Sequence, residues 1–223
     1  MPNTAREVLT ELQKLGKESF RKTYQRHGVT DEVYGVSTAD LKTLQKKLKK
    51  NNALANELWA SGVYDARILA TMIADPKTME PLMLDRWARD LDSYPIADAV
   101  GVLLAGTKNA LQRTEAWRKS KYEYVSSAGW HALAALATKD TKNVSDEYLT
   151  SILEIIRKDI KRAPNYTRHT MNGALIAIGL RSPALQKLAI AVAREIGKVE
   201  VDHGKTACVT PDAESYIKKA LSR

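Results

Sequence analysis

The stretch Trp87-Ala-Arg-Asp-Leu-Asp-Ser-Tyr94-Pro-Ile-Ala-Asp98 decides the fold, because it is the middle copy of a unit that recurs along the chain. The same signal reads Trp59-Ala-Ser-Gly-Val-Tyr64 before it and Trp117-Arg-Lys-Ser-Lys-Tyr122 after it, a spacing of about thirty residues. In each copy the Trp closes one helical pattern and the Tyr opens the next. Self-similarity at such a period marks a helical solenoid, in which each unit buries its apolar face against its neighbours. Four residues past the Tyr, the first copy has Ile68 and the third has Ser126, or Ala128 if Tyr124 is the equivalent. The middle copy has Asp98. A carboxylate where the sister repeats are uncharged is a candidate for chemistry.

Periodicity favours helix nearly throughout. Leu41, Leu44 and Leu48 fall at i, i+3 and i+7 after a Ser37-Thr-Ala-Asp40 capping box, with Lys42, Lys46, Lys47, Lys49 and Lys50 on the other faces. Ile68, Leu69, Met72 and Ile73 form a second stripe, closed by Asp75-Pro76. Further helices are predicted near 81–92, 95–106, 109–119, 122–138, 146–162, 166–180, 184–197 and 211–222. The last would use Thr210 as N-cap and Pro211 as its first residue. Only Lys198-Val-Glu-Val-Asp202 alternates like a strand, and it is too short to build a sheet. Connections are short and no Gly/Ser-rich or Pro-rich linker interrupts them, so the reading is an all-α, HEAT-like solenoid forming a single domain over residues 1–223. The concave face of such an array is the expected binding surface.

Composition narrows the function. No run approaches the roughly 18 apolar residues of a membrane span, and the first residues lack the apolar core of a secretory signal, so a soluble, cytoplasmic protein is expected; the expected assembly state is a monomer. One cysteine, Cys208, excludes an internal disulfide framework. The net charge of +9 is unevenly spread: residues 1–50 carry 11 basic and 6 acidic side chains, residues 51–100 carry 4 and 8, and the remainder 20 and 12. A polyanion would be drawn to the two basic flanks, and the acidic middle would face away or hold its acids for a purpose.

Several motifs are excluded. Gly204-Lys-Thr206 ends like a phosphate-binding loop, but position 199 is Val where that loop needs glycine. His203 and Cys208 lack further ligands at metal-binding spacing, and no Gly-x-Ser-x-Gly elbow occurs, so neither a metal site nor a hydrolase triad is expected and no cofactor is implied. Asp98 follows Pro95 in a helix start, where the dipole favours an anion suited to stabilising a cation; the alternative is an ordinary first-turn helix acid. Trp59, Trp87 and Trp117 recur at one place in the unit and read as inter-helix packing, whereas Trp130 and Tyr94 are candidates for the concave face. Arg162, then Asn165, Arg168, His169 and Asn172 at helical spacing, form a polar-basic stripe able to contact phosphates.

These residues resemble the AlkD-type DNA alkylation-repair family, HEAT-like-repeat DNA glycosylases that remove cationic N3- and N7-alkylated purines. The resemblance is carried by Leu58 to Ala70, Asp75-Pro76, Asp85 to Asp98, Asn172 to Gly179 and Val199 to Thr206. It implies that Asp98 is the catalytic carboxylate facing the sugar cation and that Tyr94, four residues earlier, flanks the lesion. It also implies a cleft contact from Tyr24, with duplex DNA as the partner; the stripe residues Arg162, Arg168 and Asn172, together with Trp130 and Lys205, complete the expected DNA or lesion contacts. The chain departs from the family at three places: Tyr94 stands for a tryptophan, a DNA-contacting arginine falls at Ser126 or Ser127, and a second cleft tryptophan falls near Asn172 or Gly173. The expected function is therefore an alkylpurine DNA glycosylase, with a non-catalytic binder of distorted or branched DNA, or a protein–protein scaffold, as the alternatives.

Overall fold

The computed structural model describes residues 4–221, the side chains of Pro81 and Leu221 excepted, and among these residues it is entirely helix and loop. Thirteen α-helices follow in order: α1 Ala5–Leu15, α2 Glu18–Arg26, α3 Thr38–Leu48, α4 Asn52–Ala60, α5 Tyr64–Ile73, α6 Pro81–Ala88, α7 Tyr94–Ala105, α8 Ala110–Arg118, α9 Glu123–Lys139, α10 Asp146–Asp159, α11 Asn165–Gly179, α12 Pro183–Ile196 and α13 Ala213–Leu221. A 3-10 turn, Ile160–Arg162, follows α10. Ser37, Asn51, Ser145 and Ser182 each accept a backbone N–H three residues on, which satisfies one of the orphan donors at the start of α3, α4, α10 and α12.

The Trp/Tyr punctuation is structural grammar. Trp59, Trp87 and Trp117 are each the penultimate residue of their helix, while Tyr64 and Tyr94 are first residues and Tyr122 is an N-cap. The first two copies meet ring on ring: Trp59 and Trp87 stack with centroids 4.3 Å apart and planes 4° off parallel. Each indole N–H is satisfied, Trp59 donating to Asp90 at 2.8 Å and Trp87 to Asn56 at 3.3 Å. These tryptophans are buried, and as large rings they contribute the main area of the inter-repeat core.

The helices group into two compact units, one reaching to Lys108 and including Gly204–Thr206, the other Asn109–His203 with the chain from Ala207 on. In the first, α5 packs on α3, α4 and α7. The fully buried Asp65 in the first turn of α5 accepts the backbone N–H groups of Tyr34 (2.7 Å), Gly35 (3.3 Å) and Val36 (2.7 Å). That pins the extended 34–36 segment, where Gly35 sits at φ +82 and a Cβ would lie 2.3 Å from the Lys17 carbonyl oxygen. In the second unit, α9 and α11 form the principal pair, with α8 against α9 and α12 and α13 against α11. Gly129 lets α9 approach α8 so closely that a Cβ there would come within 2.3 Å of the Arg118 amide nitrogen.

The expected last helix starts later than its spacing suggested. Asp212, not Thr210, caps it by accepting the Ser215 N–H at 2.8 Å, because the Thr210 hydroxyl is taken by two histidines and the Pro211 carbonyl by Asn172. Residue 222, the expected end of that helix, lies outside the described residues.

Candidate nucleic-acid interface

Tyr94 and Asp98 are the first and fifth residues of α7, one turn apart and therefore on one helical face. Asp98 is half-buried and its Oδ1 is shut away from solvent. It lies beyond the first turn, where the helix dipole fades, so the expected dipole stabilisation contributes little. The Tyr94 hydroxyl meets His27 Nδ1, and the two rings pack edge to face with centroids 5.8 Å apart. Tyr24 lies in the same aromatic group: its ring is 4.9 Å from Tyr64, and its hydroxyl donates to the Val36 carbonyl at 2.7 Å. Burial, and secondarily the Asp65 charge, pushes the Tyr24 hydroxyl above the usual tyrosine range. The structure thus brings Tyr24, Tyr64, Tyr94 and His27 together in the first unit.

From Asn165 on, the polar stripe of the second unit forms a clasp on the chain between α12 and α13, a use of these side chains other than the phosphate contacts expected, while Arg162 stays outside it. Asn165 exchanges two hydrogen bonds with the Asp202 backbone, at 2.7 and 2.8 Å. Arg168 donates to the Glu200 carbonyl at 2.7 Å and to the Ala163 carbonyl at 3.1 Å. His169 and His203 share the Thr210 hydroxyl at 3.0 and 2.9 Å, and Asn172, only 1% exposed, donates to the Pro211 carbonyl at 2.9 Å. The cause is physical: the loop between α12 and α13 has no regular structure of its own, so α11 satisfies part of its backbone. That also explains amides in mid-helix.

Trp130 is likewise corrected. It is 3% exposed, beneath the Arg118 guanidinium at 5.4 Å from the ring centroid, and presents no face to a ligand. Arg118 is held in turn by Glu115, through bonds of 2.6 and 2.7 Å. Burial pushes the Glu115 carboxyl up, but its bonds to Arg118, Tyr148 and Lys119 outweigh that and hold it at about 2. Of the expected DNA contacts, Arg162 and Lys205 stay solvent-exposed. Lys205 lies with Ser19, Lys22, Gln25 and Arg26 on an open cleft of about 700 Å³ in the first unit. Sequence reasoning missed those α2 residues because α2 buries no residue and so shows no apolar stripe; the only signal was the cation pair Lys22 and Arg26 at i, i+4. Among the described residues no group of three or more His, Cys, Asp and Glu is placed to hold a metal ion, and no helix is long and apolar enough to cross a membrane.

Residues 8–217 match the family described as DNA alkylation repair enzyme. The chain belongs to that family. It is 31% identical to the uncharacterized protein Lin0241 of Listeria innocua and 30% identical to Lmo0209 of Listeria monocytogenes, each match covering 96% of both chains. A solved structure described as a new family of proteins related to the HEAT-like repeat DNA glycosylases, with affinity for branched DNA structures, superposes at a TM-score of 0.90 with 34% identity. That match covers 99% of this chain and 94% of the other.

As a member of the DNA alkylation repair enzyme family, the chain shows why its departures hold together. Ser126 and Ser127, where the resemblance places an arginine, are buried: Ser126 donates to the Arg118 carbonyl at 2.9 Å, and Ser127 bonds Tyr166 and Thr170. With Gly129 in the same tight contact, an arginine would have no room there. At Gly173, by contrast, a Cβ would meet nothing within 4 Å.

Proposed function

We propose that the protein binds branched or otherwise distorted duplex DNA in a repair setting, as a cytoplasmic monomer, chiefly through its phosphates. The observation that carries this reading is the fate of the expected site residues: Trp130 and Asn172 are core, while the cations Arg162 and Lys205 remain at the surface. Phosphate contacts position DNA without reading bases, which suits recognition of shape over sequence. The formal charge of +9 and the branched-DNA affinity described for the 34% identical relative support it. Anisotropy titration of a four-way junction and a linear duplex of the same arm sequence tests it: tighter binding of the junction with a steep salt dependence is expected, and no binding near physiological salt would defeat it.

A second reading, excision of cationic N-alkylpurines, is kept by one observation. Tyr94 and Asp98 stand one turn apart on α7 with a carboxylate oxygen enclosed, as a group opposing a sugar cation should be. A preorganised charge of that kind can contribute roughly 3–4 kcal/mol to a barrier. The leaving base is already cationic and needs no proton, so Asp98 would act by charge while water attacks the sugar carbon. Release of 7-methylguanine or 3-methyladenine from methylated DNA, lost in Asp98→Asn, is the expected result on this reading; equal release by both proteins removes Asp98 from the mechanism.

A further inference from the structure

The cleft on α2 lies outside the Tyr94/Asp98 group and has its own chemistry. Lys22 and Arg26 are both exposed and four residues apart, so they project from one face about 6 Å apart along the helix axis. Ser19, three residues before Lys22, extends the face, and Gln25 lies beside it. Lys205 closes the group from the 204–206 tip, where Gly204 adopts φ +60 and turns the chain. Among the described residues no carboxylate lines the cleft. The nearest acid in sequence, Glu18, is drawn to Arg21 at 2.5 Å and reaches Lys22 only at 3.8 Å. Arg26 is steadied by a 3.2 Å bond from its guanidinium to the Thr23 hydroxyl.

Three cations and two neutral hydrogen-bonding side chains along an open groove are poorly matched to an apolar small molecule, which needs an enclosed hydrophobic wall. They are well matched to a run of phosphodiesters, where each ammonium or guanidinium displaces a condensed counterion and hydroxyl and amide groups add register. The fold itself does not use these charges, since α2 is anchored by the half-buried Phe20 and Tyr24 and not by its basic face.

We propose that the α2 face and Lys205 form a phosphate-tracking cleft that grips the sugar–phosphate backbone of one duplex arm, through Lys22, Arg26 and Lys205 with Ser19 and Gln25. This rests on the DNA-binding reading above and adds the surface and the chemical group recognised. Because phosphates are common to every arm, the cleft supplies affinity and not the preference for branching.

The test is equilibrium binding of a linear duplex and a four-way junction between about 50 and 200 mM salt, for wild type and for Lys22→Ala/Arg26→Ala/Lys205→Ala. At about 0.9 per phosphate contact, the slope of log affinity against log salt should fall by about 2–3 in the triple variant, by the same amount on both probes. The charge-conserving Lys22→Arg/Arg26→Lys/Lys205→Arg should keep the wild-type slope. Should the triple variant melt earlier than wild type, the single Lys205→Glu carries the same test, and its slope must fall. A steep wild-type slope left unchanged in these variants overturns the cleft while leaving DNA binding intact. Loss confined to the junction overturns the assignment to a duplex arm. Absence of binding by wild type removes both this inference and the reading it rests on.

Discussion

Replacing Glu115 by Gln isolates the buried charge network that lies over Trp130. Arg118 has only 6% of its side chain exposed, and Glu115 meets it at two atoms, while Tyr148 and Lys119 complete the carboxylate's bonds. Taking one partner from a buried pair leaves the other charge uncompensated, a cost of about 3–5 kcal/mol. The carboxyl's fall from 4.5 to about 2, set by the same bonds, points the same way, and Glu115's remaining exposure to solvent puts the cost at the low end of that range, about 3 kcal/mol. The folded value lies below the unfolded one, so this stabilisation is fully present above pH 4.5 and is lost as pH falls toward 2. Other carboxyls, Asp31 and Asp65, are pushed up by burial and act in the opposite sense, so the difference between wild type and Glu115→Gln is what reports Glu115. Urea unfolding followed by tryptophan fluorescence should show the variant about 3 kcal/mol less stable at pH 7, with the gap closing between pH 4.5 and 2. A variant within about 0.5 kcal/mol of wild type at pH 7, a change typical of ordinary surface positions, would refute the reasoning.

Other outcomes follow from the same structure. Asp65→Asn keeps the shape but presents an amide to backbone donors at 34–36, and should cost about 2–4 kcal/mol in thermal or chemical unfolding. Gly173→Ala, exposed in mid-helix with open space for the methyl, should stabilise by about 0.5–1 kcal/mol, whereas Gly129→Ala must push α9 off α8 and lower the melting temperature. Arg162→Ala should reduce the salt slope of DNA binding by about 0.9, while Asn172→Ala should lower stability and leave that slope alone.

The fold was largely legible because the repeat is written in large aromatic residues at helix ends, and burial of such residues dominates packing. Trp59, Trp87 and Trp117 could be placed from spacing alone, and so could the Ser37 cap. The candidate site was legible where repeat spacing alone sets the placement, as for Tyr94 and Asp98 on one face of α7. It was misread where polar residues serve the backbone. Asn165, Arg168, His169 and Asn172 show the periodicity of a ligand-binding face, but their partners lie about 30–40 residues on in an irregular loop that no pattern predicts. Trp130 was misplaced for a related reason, since it is buried beneath Arg118, whose charge the sequence alone assigns to the surface. The α2 cleft was invisible because it needs a tip, Gly204–Thr206, distant in sequence.

The most direct measurement is the affinity of the wild-type protein for a four-way junction relative to a linear duplex of equal length at about 150 mM salt. A preference of about tenfold, or ~1.4 kcal/mol, is the expected result, with both affinities falling steeply as salt rises. Equal affinity for the two probes, or binding indifferent to salt, would contradict recognition of DNA shape through its phosphates.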